Sequence, residues 1–279
     1  MTACSNSETP PVAVHGDGPY SLTLARNTTT LTFPSYDVIV RHGKPFGIVS
    51  LNMGDQPGDF AHWDFPLADW EWFWYDEDGS MNDDKRTKLL ETAWSEPEIE
   101  QSADSVQLLF KKTNVLLPGL NLEVNYSFEI DGTFSASYTI ENKTGSVLPK
   151  PYSMIGFPGF SNHRWVSAVA TSVEPRFSKE PFVNFWEEAD ADGREEYTLL
   201  RQEFDDTIAQ QLKGLVAISA FDSWYVLQAT FLSTDQIAKV SSAHVNKPGY
   251  LTSHLYVFLK DLPDGNSQTL RVFYRLSRN

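Results

Sequence analysis

The sequence predicts an all-β protein, a large two-sheet antiparallel β-sandwich. Segments in which apolar and polar residues alternate recur along the chain, bounded by Gly, Pro or Asn. Asp-Gly pairs at 131–132 and 264–265 are hairpin signals, each placed before a strand pattern. The chain has 279 residues, 41% of them hydrophobic, so it can bury a large core. A dozen or more strands favour two packed sheets over one open sheet.

The elements follow in order after a short tail. Residues 1–18 contain two prolines and two glycines and are predicted to be a flexible N-terminal tail, while residues 19–279 form a single domain. The first strand patterns are SLTLARN, TTLTFPS, YDVIVRHG and PFGIVSLNM. The middle patterns are SVQLLFKKTN, LNLEVNYSFEIDG and TFSASYTIENKTG, and the last are LVAISAFD, WYVLQATFLS, GYLTSHLYVFLKDLP and QTLRVFYRLS.

Alternation also predicts which residues share a face. In the segment 120–129, Leu122, Val124, Tyr126 and Phe128 fall on one face, which is typical of a half-buried antiparallel strand. Residues 194–212 leave two interpretations open, because their apolar residues recur at helical spacing but also suit a pair of strands.

Charge and composition exclude several classes of partner. A net charge of −15 disfavours nucleic acid and anionic membranes, since both need basic surfaces. The single cysteine, Cys4, rules out an intrachain disulfide, and the start MTACSNSETPPV lacks a signal-peptide pattern, so a cytoplasmic location is expected. No metal-ligand or cofactor motif is present, so neither is expected, and the acidic run from DEDG at 76–79 favours a hairpin turn over a calcium loop.

An aromatic and acidic stretch, HWDFPLADWEWFWYDEDG at 62–79, stands out as a candidate ligand site. Strict alternation places Trp70, Trp72 and Trp74 on one face of a strand, and Trp63 lies just before them. Aromatic faces stack on the C–H faces of sugars, and carboxylates bind the hydroxyl groups. The stretch is therefore either part of a sandwich core or a platform for a saccharide, and both interpretations stay open.

The order of elements resembles the galactose mutarotase-like β-sandwich, which aldose 1-epimerases share with domains of several polysaccharide lyases and glycosidases. The likeness lies in three parts of the chain. The first is the set of N-terminal strand patterns from SLTL to PFGIVSLNM, and the last is the final TLRVFYRL. Between them lies a middle block, residues 105–149, with its Asp131-Gly132 turn, Asn142 and Leu148-Pro149. The resemblance implies a catalytic histidine soon after the middle block, and His163 stands there. The glutamate that the epimerases use as a base has no clear match near the C-terminus, where SSAHVNKPGYLTSHLYVF supplies histidines.

The candidate catalytic residues are His163, Arg164, His254 and Tyr256. His163 and Arg164 are adjacent, so they act together only if their segment is a loop. His254 and Tyr256 are two residues apart, which places them on one face of a strand as a proton-transfer pair. In the leading interpretation His163 and His254 form the acid and base pair, and Arg164 or Arg176 stabilises negative charge. For each histidine a purely structural role is the open alternative.

These observations predict a cofactor-independent carbohydrate-active enzyme, an epimerase or a lyase, whose partner is a saccharide or other small molecule. Two other classes stay open. A non-catalytic carbohydrate-binding protein would use the aromatic residues and not the histidines. A biosynthetic cyclase or pericyclase would use an aromatic-lined, closed apolar pocket. The position of the tryptophans distinguishes the two: tryptophans in an open cleft with charged walls indicate a sugar site, and tryptophans in a closed apolar cavity indicate a cyclase.

Overall fold

The computed structural model describes only part of the chain. The backbone is described for residues 12–14, 18–44, 46–53, 71–75, 81–88, 94–115, 117–148, 152–158, 168–171, 196–203, 216–221, 225–231, 237–247 and 250–278. The side chains are described for residues 18–44, 46–53, 94–115, 117–148 and 259–275.

The described residues contain strands and no helix, and hence no helix that could span a membrane. The strands, numbered in chain order, are β1 (Val12–Val14), β2 (Ser21–Ala25), β3 (Thr28–Thr32), β4 (Tyr36–Arg41), β5 (Gly47–Met53), β6 (Glu71–Tyr75), β7 (Met81–Lys88), β8 (Glu98–Gln101), β9 (Ser105–Lys112), β10 (Leu120–Glu129), β11 (Thr133–Asn142), β12 (Tyr152–Pro158), β13 (Ala168–Thr171), β14 (Glu196–Glu203), β15 (Val216–Phe221), β16 (Tyr225–Phe231), β17 (Ile237–Lys247), β18 (Tyr250–Leu259) and β19 (Ser267–Arg278).

The strands form three antiparallel sheets. Five N-terminal strands pair in the order β1-β2-β3-β4-β5, eight pair as β13-β15-β16-β19-β11-β10-β9-β8, and six pair as β14-β17-β18-β12-β6-β7. The all-β sandwich prediction is confirmed, and the N-terminal strands form a sheet of their own. Strand β1 lies within the segment predicted to be a tail, and it pairs with β2. Within 194–212, residues 196–203 form a strand, which favours the strand interpretation there.

Period-two alternation builds the core between the five- and eight-stranded sheets. The cross-strand row of Leu108, Tyr126, Ala136 and Val272 is fully buried, as alternation in β10 predicted. Phe46 from the N-terminal sheet packs on Phe110 of β9, with ring centroids 5.1 Å apart. The Tyr36 hydroxyl donates a 2.6 Å hydrogen bond to the Glu129 carbonyl oxygen. One continuous apolar cluster therefore joins the two sheets.

The two predicted hairpins have different outcomes. Strands β10 and β11 form a hairpin, but the loop has three residues, 130–132, and Gly132 adopts φ 88°. The turn at 263–266, with Gly265 at φ 77°, does not join paired strands. It connects β18 of the six-stranded sheet to β19 of the eight-stranded sheet, so the prediction of a hairpin there is wrong. Turn residues fix a local chain reversal, but they do not select the strand's partner.

Asn142 anchors this connection between sheets. Its buried side-chain amide donates to the carbonyl oxygens of Ser146 and Leu262 at 2.7 and 3.0 Å, and its Oδ1 accepts two hydrogen bonds from Thr144. Leu148 forms a β-bridge with Leu262. We call these residues, 142–148 with 262, the Asn142 clamp.

The clamp continues the ladder between β12 and β18. Tyr152 pairs with Phe258, and four residues further out on each strand Leu148 pairs with Leu262 in the same register. The two central strands of the six-stranded sheet are thereby tied to the rigid end of β11. This ladder carries two of the predicted catalytic residues.

Candidate functional site

The six-stranded sheet has two sets of cross-strand rows. Successive residues of a strand alternate between the two faces of a sheet, so neighbouring rows belong to opposite faces. The register assigns the paired residues of β14, β17, β18, β12 and β6 to one set or the other. The composition of the two sets decides which face can serve a polar ligand.

One set contains every Asp, Glu, Lys and Arg of β14, β17, β18 and β12, and we call it the charged face. Three of its rows carry the argument. They are the histidine row (Thr198, Ala243, His254, Gly156), the tyrosine row (Arg201, Ser241, Tyr256, Met154) and the aromatic row (Glu203, Lys239, Phe258, Tyr152, Phe73).

The alternate set, the apolar face, consists mainly of hydrophobic positions. Its rows are Leu200, Ser242, Leu255 and Ile155; Gln202, Val240, Val257, Ser153 and Trp72; and Tyr197, His244, Ser253 and Phe157. One face charged and the other apolar is the pattern of a sheet that packs on one side and meets water or a ligand on the other.

The register brings His254 and Tyr256 together on the charged face. They are two residues apart on β18, so their backbones are about 7 Å apart. Strand β18 lies inside the sheet, between β17 and β12. The cross-strand partners of His254 are Gly156 and Ala243, which carry no side chain larger than a methyl group. Position 254 is thus flanked by small residues on both neighbouring strands.

The register does not bring Trp72 to this pair. Trp72 pairs with Ser153, and Ser153 with Val257, which places Trp72 in a row of the apolar face. Trp74 lies on β6 beyond its pairing with β12, and the ladder from β6 to β7 is irregular between Trp72 and Trp74. For Trp72 the register favours the core alternative over the platform.

The aromatic row was missed by the sequence reasoning. Phe73, Tyr152 and Phe258 come from three segments far apart in sequence, and they are aligned on adjacent strands on the same face as Tyr256. Adjacent strands lie about 4.8 Å apart, so the three positions span about 10 Å. The register therefore aligns three aromatic positions in one row of the charged face. Nothing in the sequence shows the register, so no local pattern could have found it.

Five predicted site residues lie outside the described residues: Trp63, Trp70, His163, Arg164 and Arg176. His163 follows Pro158, the last residue of β12, by five positions. Pro158 pairs with Thr252, two residues before His254. Pro158 itself lies two positions along β12 from Gly156 of the histidine row. The predicted acidic hairpin is supported by the pairing of Tyr75 with Met81 on either side of it.

A groove with polar walls lies on the outer face of the eight-stranded sheet. This groove of about 320 Å³ is lined by residues of β9, β10 and β11. Its polar groups already bind one another, since the Asn121 amide donates to Glu141 at 2.7 Å and Lys143 pairs with Glu141 at 2.7 Å. Hydrogen bonds from Lys143 and Asn121 hold the pKa of Glu141 below its usual value. Among the residues with described side chains, no group of three His, Cys, Asp or Glu is arranged to hold a metal ion.

Comparison with solved structures agrees with this architecture. A galactose mutarotase-like protein from Clostridium acetobutylicum matches over 98% of this chain and 100% of that chain, with a TM-score of 0.58 and 8% sequence identity. The chain has the galactose mutarotase-like fold. Galactose 1-epimerase from Lactobacillus acidophilus matches over 98% of this chain and 100% of that chain, with a TM-score of 0.54 and 7% identity.

The mutarotase-like fold also occurs within longer chains. A TPR-domain containing protein from Parabacteroides distasonis matches 92% of this chain at a TM-score of 0.54 and 9% identity, and the match covers 48% of that protein. Comparisons with protein-family models and with curated protein sequences each give no match. At identities below 10% the likeness establishes the fold, and the chemistry has to be argued from the residues of this chain.

Proposed function

We propose that this chain is a carbohydrate-active enzyme that transfers protons on a sugar, as an isomerase or a lyase. His254 and Tyr256 serve as acid and base groups on the charged face of the six-stranded sheet. The observation that supports the proposal is the register, in which His254 is paired with Gly156 and Ala243, and the row of Tyr256 lies between the histidine row and the aromatic row.

The chemistry suits these groups. In an epimerisation, one group removes the proton of the anomeric hydroxyl while the other protonates the ring oxygen. The bond between C1 and the ring oxygen breaks, a C1 carbonyl forms and rotates, and the reverse steps close the ring. A histidine titrates near neutral pH and can act in either direction. His163 is the third candidate group, and Arg164 and Arg176 remain candidates for binding the developing negative charge.

The composition of the charged face favours a sugar over the apolar substrate of a cyclase. Glu196, Arg201, Glu203, Lys239 and Lys247 all belong to it. Charged groups would lose hydration against an apolar substrate, whereas hydroxyl groups replace water as hydrogen-bond partners. The aromatic row adds apolar surface for the C–H face of the sugar ring, which is the combination that saccharide sites need.

The test compares two histidines on neighbouring strands. His254 lies on the charged face, and His244 of β17 lies on the apolar face, because it pairs with Ser253. Polarimetry follows the mutarotation of freshly dissolved α-galactose, and absorbance follows the double bond that a lyase would form in polygalacturonate. We expect His254→Gln to lower kcat by about a hundredfold or more with a smaller change in KM, whereas His244→Gln keeps kcat near the wild-type value.

Two outcomes would contradict the proposal. If wild-type protein turns over neither sugar but binds galactose, and His254→Gln binds it equally well, the chain is a carbohydrate-binding protein. If His244→Gln loses as much activity as His254→Gln while both remain folded, the charged face is not the site of proton transfer. The kcat of His163→Ala, measured in the same assay, shows whether His163 is an acid or base group that acts together with His254.

A further inference from the structure

Strand β19 has a row of outward-facing residues on the eight-stranded sheet. The core-facing residues of this strand are buried, so the residues that alternate with them face outward, and they are Thr269, Arg271, Phe273 and Arg275. Phe273 is half-buried, and it is the one aromatic residue among the described outward positions of β9, β10, β11 and β19. A single apolar side chain on a surface is ordinary, so its neighbours decide whether this position can serve a ligand.

The neighbours of Phe273 on β11 carry hydroxyl groups. In the register Phe273 pairs with Ser135, and Arg271 pairs with Ser137. Two residues separate Arg271 from Phe273, which is about 7 Å along the strand. An aromatic ring, a guanidinium group and two hydroxyl groups therefore lie within the span of one or two sugar units. We call these four residues the β19 strip, and none of them lines the groove on the same face.

Arg271 is exposed, and one hydrogen bond orients it. Its Nε donates to the Ser137 hydroxyl at 3.0 Å. Among the residues whose side chains are described, no carboxylate forms an ion pair with Arg271. Its terminal N–H groups can therefore reach a ligand. Because paired N–H donors of arginine match the two oxygens of a carboxylate, this position suits an acidic group.

Arg275, two residues beyond Phe273, differs from Arg271 in its surroundings. It is also exposed, and it pairs with Thr133 in the register. Hydrogen bonds from Thr133 lower the pKa of Asp131, and the positive charge of Arg275 lowers it further. Arg275 thus already has an acidic neighbour, so it is a matched comparison for Arg271 on the same strand and the same face.

We infer that the β19 strip is a second saccharide-binding surface, and that its ligand is an acidic polysaccharide. The phenyl ring contacts the C–H face of a sugar unit, the guanidinium group binds a carboxylate, and the serine hydroxyls bind sugar hydroxyls. A face without a deep pocket binds one sugar unit weakly, so it suits a polymer that is held at several points.

The charges of the protein favour a polysaccharide over a nucleic acid as the polymer. Nucleic acid carries a phosphate at every nucleotide, and its binding needs several cations together. The strip has one arginine, in a protein of net charge −15, which suits a saccharide chain with carboxylates at intervals. The inference shares only the class of ligand with the proposed function, and it concerns a different sheet, so each can fail without the other.

The test measures binding by biolayer interferometry to three immobilised polymers: partly methyl-esterified polygalacturonate, neutral galactan and single-stranded oligothymidylate. The variants are Arg271→Gln, Phe273→Leu and the control Arg275→Gln, which makes the same change in net charge as Arg271→Gln. Phe273→Leu removes the ring and keeps an apolar side chain. Thermal melting confirms that each variant is folded, and polarimetry of galactose mutarotation measures turnover separately.

We expect Arg271→Gln to weaken polygalacturonate binding by about tenfold, because a charge-assisted pair is lost. Phe273→Leu should weaken it by about threefold, because the ring no longer contacts the sugar face. Arg275→Gln should bind as wild type does. Galactan should bind to wild type more weakly than polygalacturonate, and Arg271→Gln should leave galactan binding unchanged. Turnover should be unchanged in all three variants.

Three results would overturn the inference. An equal loss of polygalacturonate binding in Arg271→Gln and Arg275→Gln would assign the effect to net charge. Oligothymidylate binding as tight as polygalacturonate binding, with the same dependence on Arg271, would make the strip a nucleic-acid surface. Absence of wild-type binding to both polysaccharides would remove the strip, and His254-dependent turnover would then leave the proposed function standing. Binding that depends on Arg271 and Phe273 without turnover would instead support the strip and contradict the proposed function.

Discussion

The eight-stranded and six-stranded sheets both alternate apolar with polar positions, yet their polar faces differ in composition. On the eight-stranded sheet several outer residues hydrogen-bond to one another. Thr139 and Thr269 share a 2.8 Å hydrogen bond between hydroxyls, and Arg271 donates to Ser137. On the six-stranded sheet the corresponding face carries a histidine, a tyrosine and an arginine beside glycine and alanine positions. Alternation builds a half-buried eight-stranded sheet, and the six-stranded sheet carries the groups that the proposed function uses.

The two sheets also differ in the contacts that connect them to the rest of the protein. The eight-stranded sheet packs its apolar rows into the cluster that it shares with the N-terminal sheet. The β12 and β18 strands of the six-stranded sheet run into the Asn142 clamp. The clamp is therefore the described structural feature on which the geometry of the proposed site depends most directly.

Asn142→Ala gives the largest expected effect, because it removes all four hydrogen bonds of a fully buried side chain. We expect a loss of about 3–5 kcal/mol in the free energy of unfolding, measured by chemical denaturation. The matched control is Asn121→Ala on the outer face, where the side chain is partly exposed and the expected loss is about 1 kcal/mol. Equal losses would mean that the clamp has no special role.

Trp72→Ala and Phe73→Ala test the two faces with adjacent residues. Trp72 belongs to the apolar face, so its truncation should cost about 3–5 kcal/mol in stability, as expected for a large core side chain. Phe73 belongs to the charged face, so its truncation should cost less stability and should weaken galactose binding. Thermal melting and calorimetric titration on both variants give the comparison. If Trp72→Ala weakened galactose binding and Phe73→Ala caused the larger loss of stability, Trp72 would be a platform residue and the face assignment would be wrong.

His42 predicts a pH dependence of stability in the N-terminal sheet. Its Nε2 lies 2.8 Å from the Thr29 hydroxyl, and the ring is buried beside Phe110. Burial lowers the pKa of His42 from 6.5 to about 4. The unfolded chain therefore binds a proton that the folded chain does not between these two values. Stability is fully present above pH 6.5 and should decrease as the pH falls towards 4, by about 2–3 kcal/mol.

The free energy of unfolding, measured by urea denaturation across this pH range, checks the His42 prediction. His42→Gln removes the titrating group, so the part of the pH dependence that it causes should disappear. An unchanged pH profile in this variant would show that other groups cause the acid destabilisation.

Tyr36→Phe gives the smallest expected effect. It removes the 2.6 Å hydrogen bond from the Tyr36 hydroxyl to Glu129, which joins the N-terminal sheet to the hairpin of β10 and β11, and it keeps the packing of the ring. We expect a loss of about 1 kcal/mol in the free energy of unfolding. Ser35→Ala is the control, because its 3.4 Å hydrogen bond to Ile130 is exposed. If Ser35→Ala lowered the free energy of unfolding as much as Tyr36→Phe, the Tyr36 hydrogen bond would have no special role in joining the two sheets.

Local patterns predicted the strands and their buried faces, and tertiary pairing decided the rest. The alternation of Leu122, Val124, Tyr126 and Phe128 was enough to predict a half-buried strand, because the side-chain period of a strand is local. The pairing of Phe73 with Tyr152, and of Arg201 with Ser241, joins segments far apart in sequence. No local pattern encodes that register, so the aromatic row was missed.

The position of a bound sugar is the most direct test of the central claim, that the charged face of the six-stranded sheet is the ligand site. A crystal structure of the protein with galactose or galacturonate gives that position. We predict that the sugar lies over the histidine and tyrosine rows, against Phe73, Tyr152 or Phe258, and within hydrogen-bond reach of His254 or Tyr256. A sugar bound on the apolar face beside Trp72, or in the groove of the eight-stranded sheet, would contradict the claim.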